Sequence, residues 1–141
     1  MIAQCRHSRT VALSDHQRGR LTALDEEHHL TIGDRYLVLG MGIFETVLYF
    51  LVRDDTGSPS LSPAAMFDCD TTELPRDWWF SLRDGIRASG SELWNRCVAI
   101  WGYGALVNDP DHSGALGERD ASALETFDRE YAKAQLPEHR R

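Results

Sequence analysis

The stretch "LTIGDRYLVLGMGIFETVLYFLVRDDTG", residues 30–57, decides the fold. It opens on a turn at Gly33-Asp34. The residues behind that turn alternate, with Tyr36 and Val38 on one face and Leu37 and Leu39 on the other. Residues 43–52, "IFETVLYFLV", are rich in β-branched and aromatic side chains and almost continuously apolar. That is the pattern of a strand buried on both faces, or of one bent round a barrel. "DDTG" at 54–57 closes the stretch as a tight turn, with Gly57 able to take a positive φ. The apolar run from Tyr36 to Val52 falls short of the about 20 residues of a membrane-spanning helix, and Gly40, Gly42 and Glu45 interrupt it. Gly40-x-Gly42 has a strand behind it and no helix N-terminus to hold a phosphate. It therefore reads as a strand bend or bulge, not as a dinucleotide fingerprint.

Toward the C-terminus, Pro59 and Pro63 bracket a short edge-type segment, because proline cannot donate to a ladder. "AAMFDCD" (64–70) is expected to pair briefly. After Pro75, "WWFSL" (78–82) alternates, with Trp78, Phe80 and Leu82 on one side. "CVAIW" (97–101) reads as a further buried strand. Beyond residue 102 the period changes. Asp109-Pro110 is a good N-cap and first helical position. Asp120 caps a second helix, in which Leu124, Phe127, Tyr131 and Ala134 form one apolar stripe, and Pro137 ends it. The expected fold is α+β: a small SH3-like β-barrel or curled antiparallel sheet followed by two C-terminal helices. Residues 1–29 are polar and are expected to be loosely ordered, apart from a short element around Thr10 to Leu13. Residues 30–141 are expected to form one α+β domain, β-rich over 30–102 and helical over 103–136.

The chain has 141 residues and a net charge of −7. The acidic balance disfavours the phosphate backbone of nucleic acid and favours a basic protein as partner. No membrane segment is expected. Cys5, Cys69 and Cys97 are odd in number and form no CxxC pair, so neither a disulfide framework nor a zinc ribbon is indicated, and a reducing cytoplasm follows. No apolar stretch backs Arg6 and Arg9, so no signal peptide is expected. Cys69 and Cys97 read as inert core thiols, and Cys5 as the accessible one.

The candidate chemistry is sparse. His28-His29, Cys5-x-His7 and Asp109-x-Asp111-His112 carry atoms that ligate divalent ions, but at no established spacing, and acids in a first helical turn have a structural role of their own. Ser81, Ser89 and Ser91 lack a nucleophile-elbow pattern. No catalytic residue, metal or cofactor is assigned. The acids Asp54, Asp55, Asp68, Asp70, Glu73 and Asp77 fall on turns between strands, where they could attract a basic partner. Adjacent Trp78 and Trp79 on a strand point to opposite faces, so one of them is a candidate contact anchor.

"LTIGDRYLVLG", "VRDDTGSPSLSPAAMFD", "LPRDWWF" and "AIWGYGALVNDPDHSGALGERDASALETF", within about residues 30 to 131, resemble a group of small, poorly characterised bacterial proteins. That resemblance implies a curled SH3-like sheet with a short helical tail, and for some members an immunity-like part in toxin systems. It carries over no catalytic residue. The expected function is a non-enzymatic cytoplasmic binding protein, an immunity-type inhibitor of a basic bacterial toxin. The alternatives are a metal-dependent hydrolase using Asp109, Asp111 and His112, and a small-ligand or nucleic-acid binding module on the barrel face.

Overall fold

The computed structural model describes residues 1–18, 26–69, 71, 73–83, 94 and 96–136. Seven strands form one antiparallel sheet: β1 (Ile2–Cys5), β2 (Arg35–Phe44), β3 (Val47–Arg53), β4 (Pro59–Pro63), β5 (Phe67–Asp68), β6 (Trp79–Leu82) and β7 (Cys97–Gly102). Four helices are described. A short α1 (Asp15–Arg18) precedes β2, while α2 (Gly104–Asn108), α3 (His112–Gly117) and α4 (Ala121–Ala134) follow β7. The fold is the α+β expectation, a curled antiparallel sheet with C-terminal helices, and three helices rather than two follow the sheet.

The long strand β2 organises everything else. One of its edges pairs with β3. The other pairs with β1 over Arg35 to Leu37 and with β7 over Gly40 to Phe44. The sheet thus forks along β2, with the order β4-β3-β2-β1-β5 on one path and β6 beyond β7 on the other. The register slips between Val38 and Gly40, the bulge expected of the Gly40-x-Gly42 segment. Gly40 also lies opposite Gly102. A Cβ at Gly40 would come within 2.4 Å of the Leu106 side chain, and one at Gly102 within 2.7 Å of it. The glycine pair is the seat on which Leu106 docks α2 directly against the sheet backbone.

Strand alternation divides the core in two. Leu39, Phe44, Val47, Tyr49, Leu51 and Ile100 meet Leu106, Leu116 and Phe127 of the helices. Val38, Phe50, Val52, Met66 and Phe67 meet Ala3, Cys5, Leu13 and Leu30. Both faces of β3 are therefore covered, which explains its nearly unbroken apolar sequence.

The cover on the second face is supplied by residues expected to be loosely ordered. Ile2–Cys5 is instead a strand between β2 and β5, with Ala3 and Cys5 buried inward. Thr10 is fully buried, its N–H donating to the Glu26 carbonyl while its hydroxyl accepts from Glu26 N–H. Residues 19–25 lie outside the described residues. The other correction concerns residues 43–52, expected as one strand. The chain turns at Glu45-Thr46, and β2 and β3 form a hairpin.

The thiol expectation changes with β1. Cys5 and Cys97 are buried, and burial raises both thiol pKa values, whereas Cys69 is half-buried. A thiol reagent under native conditions should modify Cys69 first and reach Cys5 and Cys97 only on unfolding. Labelling of Cys5 at the rate of Cys69, followed by mass spectrometry, would contradict the placement of β1.

Candidate functional site

Among the described residues β6 pairs with β7 alone, through Trp79↔Gly102, Phe80↔Trp101, Ser81↔Ile100 and Leu82↔Ala99. Directly opposed residues share a sheet face. Trp79 and Ser81 thus point to the face of buried Ile100, where the indole of Trp79 lies beside Gly104 at the start of α2. Phe80 and Leu82 point to the other face, and Phe80 packs on Trp101 with ring centroids 4.8 Å apart. Neither face of β6 is well covered. Trp79 is 57%, Phe80 51% and Leu82 75% exposed. The start of α2 touches Trp79 without covering it, and the second core lies at the β1–β5 wing. Three large apolar side chains in four residues make an uncovered patch of the kind that marks an interaction surface.

Of the expected partner-binding residues, Trp79 belongs to this patch. Trp78 is half-buried against the second core and is not the exposed member of the pair. Three of the six acids, Asp54, Asp55 and Asp68, have structural work. Asp54 Oδ1 accepts from the N–H groups of Thr56 and Ser58 and from the Thr56 hydroxyl, which locks the β3–β4 turn. Asp55 accepts the Tyr36 hydroxyl at 2.7 Å and the Thr31 hydroxyl at 2.6 Å, tying the segment before β2 to that turn. Burial, with Asp55 beside it, pushes the Tyr36 phenol up to about 12. Asp68 pairs with Arg6 at 3.1 Å. Glu73 is exposed, and Asp70 lies outside the described residues. Asp77 and Trp78 line a cavity of about 30 Å³ with Tyr103, Glu130 and Lys133. That is room for about one water molecule, too little for a substrate.

The residues of the hydrolase alternative share one turn, but His112 and Asp109 are taken up by structural partners. His112 is buried, and its Nε2 is 2.6 Å from the Tyr103 hydroxyl. Asp109 Oδ1 accepts from Asp111 N–H and so shapes the turn between α2 and α3. This replaces its expected role as helix cap. No group of three His, Cys, Asp or Glu among the described residues could hold a metal ion.

A second constellation was not visible in the sequence. Ser62 Oγ lies 2.7 Å from His28 Nδ1, and Glu26 Oε1 lies 3.4 Å from His28 Nε2. These are the elements of a serine–histidine–acid relay. Ser62 is fully buried, however, and its hydroxyl also meets Ser60 Oγ at 3.1 Å, so no substrate can reach it. His28 Nε2 is near Glu26 but not aligned for a hydrogen bond. The cluster is a clasp that fastens residues 26–28 to β4.

Burial lowers the pKa of both His28 and His112, against the opposing pull of Glu26 and of Asp109 respectively. The unfolded chain therefore binds more protons than the folded one just below pH 6.5, the ordinary histidine value. The stability contributed by neutral His28 and His112 is complete at pH 7 and is lost as the pH falls through 6.5. The urea midpoint should drop between pH 7.5 and 5.5, and His28→Gln should flatten that drop. An unchanged slope in the variant would remove His28 from the linkage.

No protein-family model matches the chain, and neither curated proteins nor solved structures provide a match. No helix among the described residues is long and apolar enough to cross a membrane.

Proposed function

We propose that the chain is a non-enzymatic binding protein that holds a basic protein partner through the β6 surface, in the manner of a cytoplasmic immunity-type inhibitor of a bacterial toxin. The observation that carries this reading is the uncovered trio Trp79, Phe80 and Leu82 on a chain of net charge −7. Aromatic anchors supply most of the energy at protein interfaces, and complementary charge speeds the encounter. The acids act as a general field, because Asp54, Asp55 and Asp68 are already engaged in holding the fold.

The test begins with capture of a partner from the native host by the tagged chain. Its affinity is then measured for the wild type, Trp79→Ala and Phe80→Ala. Each variant should bind at least about 30-fold more weakly, the range of an interface hot spot. Raising the ionic strength should slow association with the wild type. Equal affinity in all three proteins would exclude β6 as the site. Turnover of a substrate by the purified chain would exclude the non-enzymatic reading.

A further inference from the structure

The β3–β4 turn lies at the other end of the sheet from β6, and two arginines meet it. Arg119 Nη1 donates to the Ser58 hydroxyl at 3.1 Å. Arg53 Nε donates to the neighbouring Gly57 carbonyl at 3.3 Å, and its guanidinium lies over the Tyr131 ring. Arg6, Arg9 and Arg96 each pair with a carboxylate. Among the described residues Arg53 and Arg119 instead hydrogen-bond only to neutral oxygens, in a chain with 22 acids to 15 bases.

The backbone of Arg119 is fixed in an unfavourable place. Its N–H donates to the Leu116 carbonyl, and the N–H of Asp120 donates to the Ala115 carbonyl. These two bonds end α3 in the turn whose left-handed position glycine normally takes, and Arg119 takes it at φ 60°. A side chain there costs backbone energy. Its one hydrogen bond, to an exposed neutral hydroxyl, gives little in return. A guanidinium pairs far more strongly with an oxyanion.

We propose that Ser58 is a phosphorylation site whose phosphate is received by Arg119 and Arg53. A protein kinase transfers the γ-phosphoryl group of ATP. The bond from Ser58 Oγ to phosphorus forms, the bond from that phosphorus to the bridging oxygen breaks, ADP leaves, and the hydroxyl proton passes to the base of the kinase. Ser58 sits half-buried in the bend directly before β4, and the bond from Arg119 to its hydroxyl is exposed. The dianion keeps Arg119 in reach, and Arg53 has only to turn from the adjacent carbonyl. The opposing charge is Asp54, whose Oδ1 is already satisfied by the Thr56 and Ser58 N–H groups. Arg119 joins α3 to α4 and Arg53 stacks on α4, so the phosphate ties the helices to the β3–β4 turn. The site is independent of the β6 surface and goes beyond the binding reading.

The test uses the full chain with phosphoserine encoded at position 58. It should melt about 3 °C or more above the unmodified chain. The second ionisation of its phosphate, followed by phosphorus NMR, should fall below the ordinary value of about 6. Arg119→Gly should remove the larger part of both effects, and Arg53→Gln the smaller. Without phosphate, Arg119→Gly should melt no lower than the wild type, because glycine relieves the backbone. That separates holding the phosphate from a merely structural role. A phosphoserine that lowers the melting point, or an ionisation that Arg119→Gly leaves unmoved, would overturn the receiving site. Mass spectrometry of the chain purified from its native host should place a phosphoryl group on Ser58. A native chain that carries none in growing and in starved cells, or carries it on Thr56 instead, would overturn the modification.

Discussion

Phe127→Ala is expected to destabilise the protein by about 3–5 kcal/mol. For a chain of this size that lowers the melting temperature by about 10 °C or more. The effect follows from how α4 is attached. Asp120 Oδ2 accepts from Ala123 N–H and starts the helix at a fixed place. The +3/+4 spacing then turns Ala123, Phe127, Tyr131 and Ala134 to the sheet. Phe127 is the deepest of these, with no exposed surface, and it belongs to the core that holds Tyr49, Leu51 and Leu106. Removing the ring leaves a cavity that rigid strands on one side cannot fill. Tyr131 sits higher on the same face, half-buried, with the Arg53 guanidinium 4.8 Å from its ring centroid. Tyr131→Phe keeps the ring and should cost less than about 0.5 kcal/mol. Thermal denaturation of the two variants checks the order. A Phe127→Ala midpoint within error of the wild type would mean that α4 is not docked on the sheet.

That both positions face the core is legible in the sequence, because helical spacing and a capping aspartate are local signals, but which of them lies deeper is not. Equally legible are the proline-bracketed β4, the turn at Gly57 and the glycine bulge in β2, each of which follows from one residue's backbone chemistry. Local sequence is silent where the deciding partner is distant along the chain. Glu45 turns the chain at φ 57°, a conformation that glycine or asparagine usually signals. It is held there by Arg96, whose carbonyl accepts from Glu45 N–H and whose guanidinium reaches the Glu45 carboxylate. Helix α2 has five residues, too few to show a period, and exists because Leu106 fits the Gly40–Gly102 seat.

The candidate site divides in the same way. Strand alternation required one of Trp78 and Trp79 to be outward. Which one, and that Phe80 and Leu82 are uncovered with it, depends on where the helices stop along the sheet. The acids on turns looked equivalent in the sequence. Their availability depends on Tyr36, 19 residues from Asp55, and on Arg6, 62 residues from Asp68. Pairings over such separations leave no local trace in a single sequence.

The largest expected effect lies in the segment the sequence described least well. Ala3→Glu should abolish cooperative folding, or leave a protein with only a small part of its wild-type stability. Residues Ile2 to Cys5 alternate out, in, out, in, and Ala3 is fully buried in the core formed with Val38, Val52, Met66 and Phe67. The new carboxylate would lie among apolar side chains, and burying an unpaired charge costs several kcal/mol even after relaxation. Total stabilities of single domains are only about 5–15 kcal/mol. The strand cannot slide to avoid the cost, because a one-residue slip would expose Ala3 and Cys5 but bury Gln4 in their place. It would also break the ladder to Tyr36 on one side and Phe67 on the other. Gln4→Glu is the matched control. It adds the same charge one residue away, on the exposed face, and removes only the hydrogen bond from Gln4 Nε2 to the Gly33 carbonyl. It should cost about 1 kcal/mol or less. Urea denaturation followed by tryptophan fluorescence distinguishes the two. If Ala3→Glu unfolds with the same midpoint as Gln4→Glu, the N-terminal residues are a dispensable tail, and the second core must close without β1.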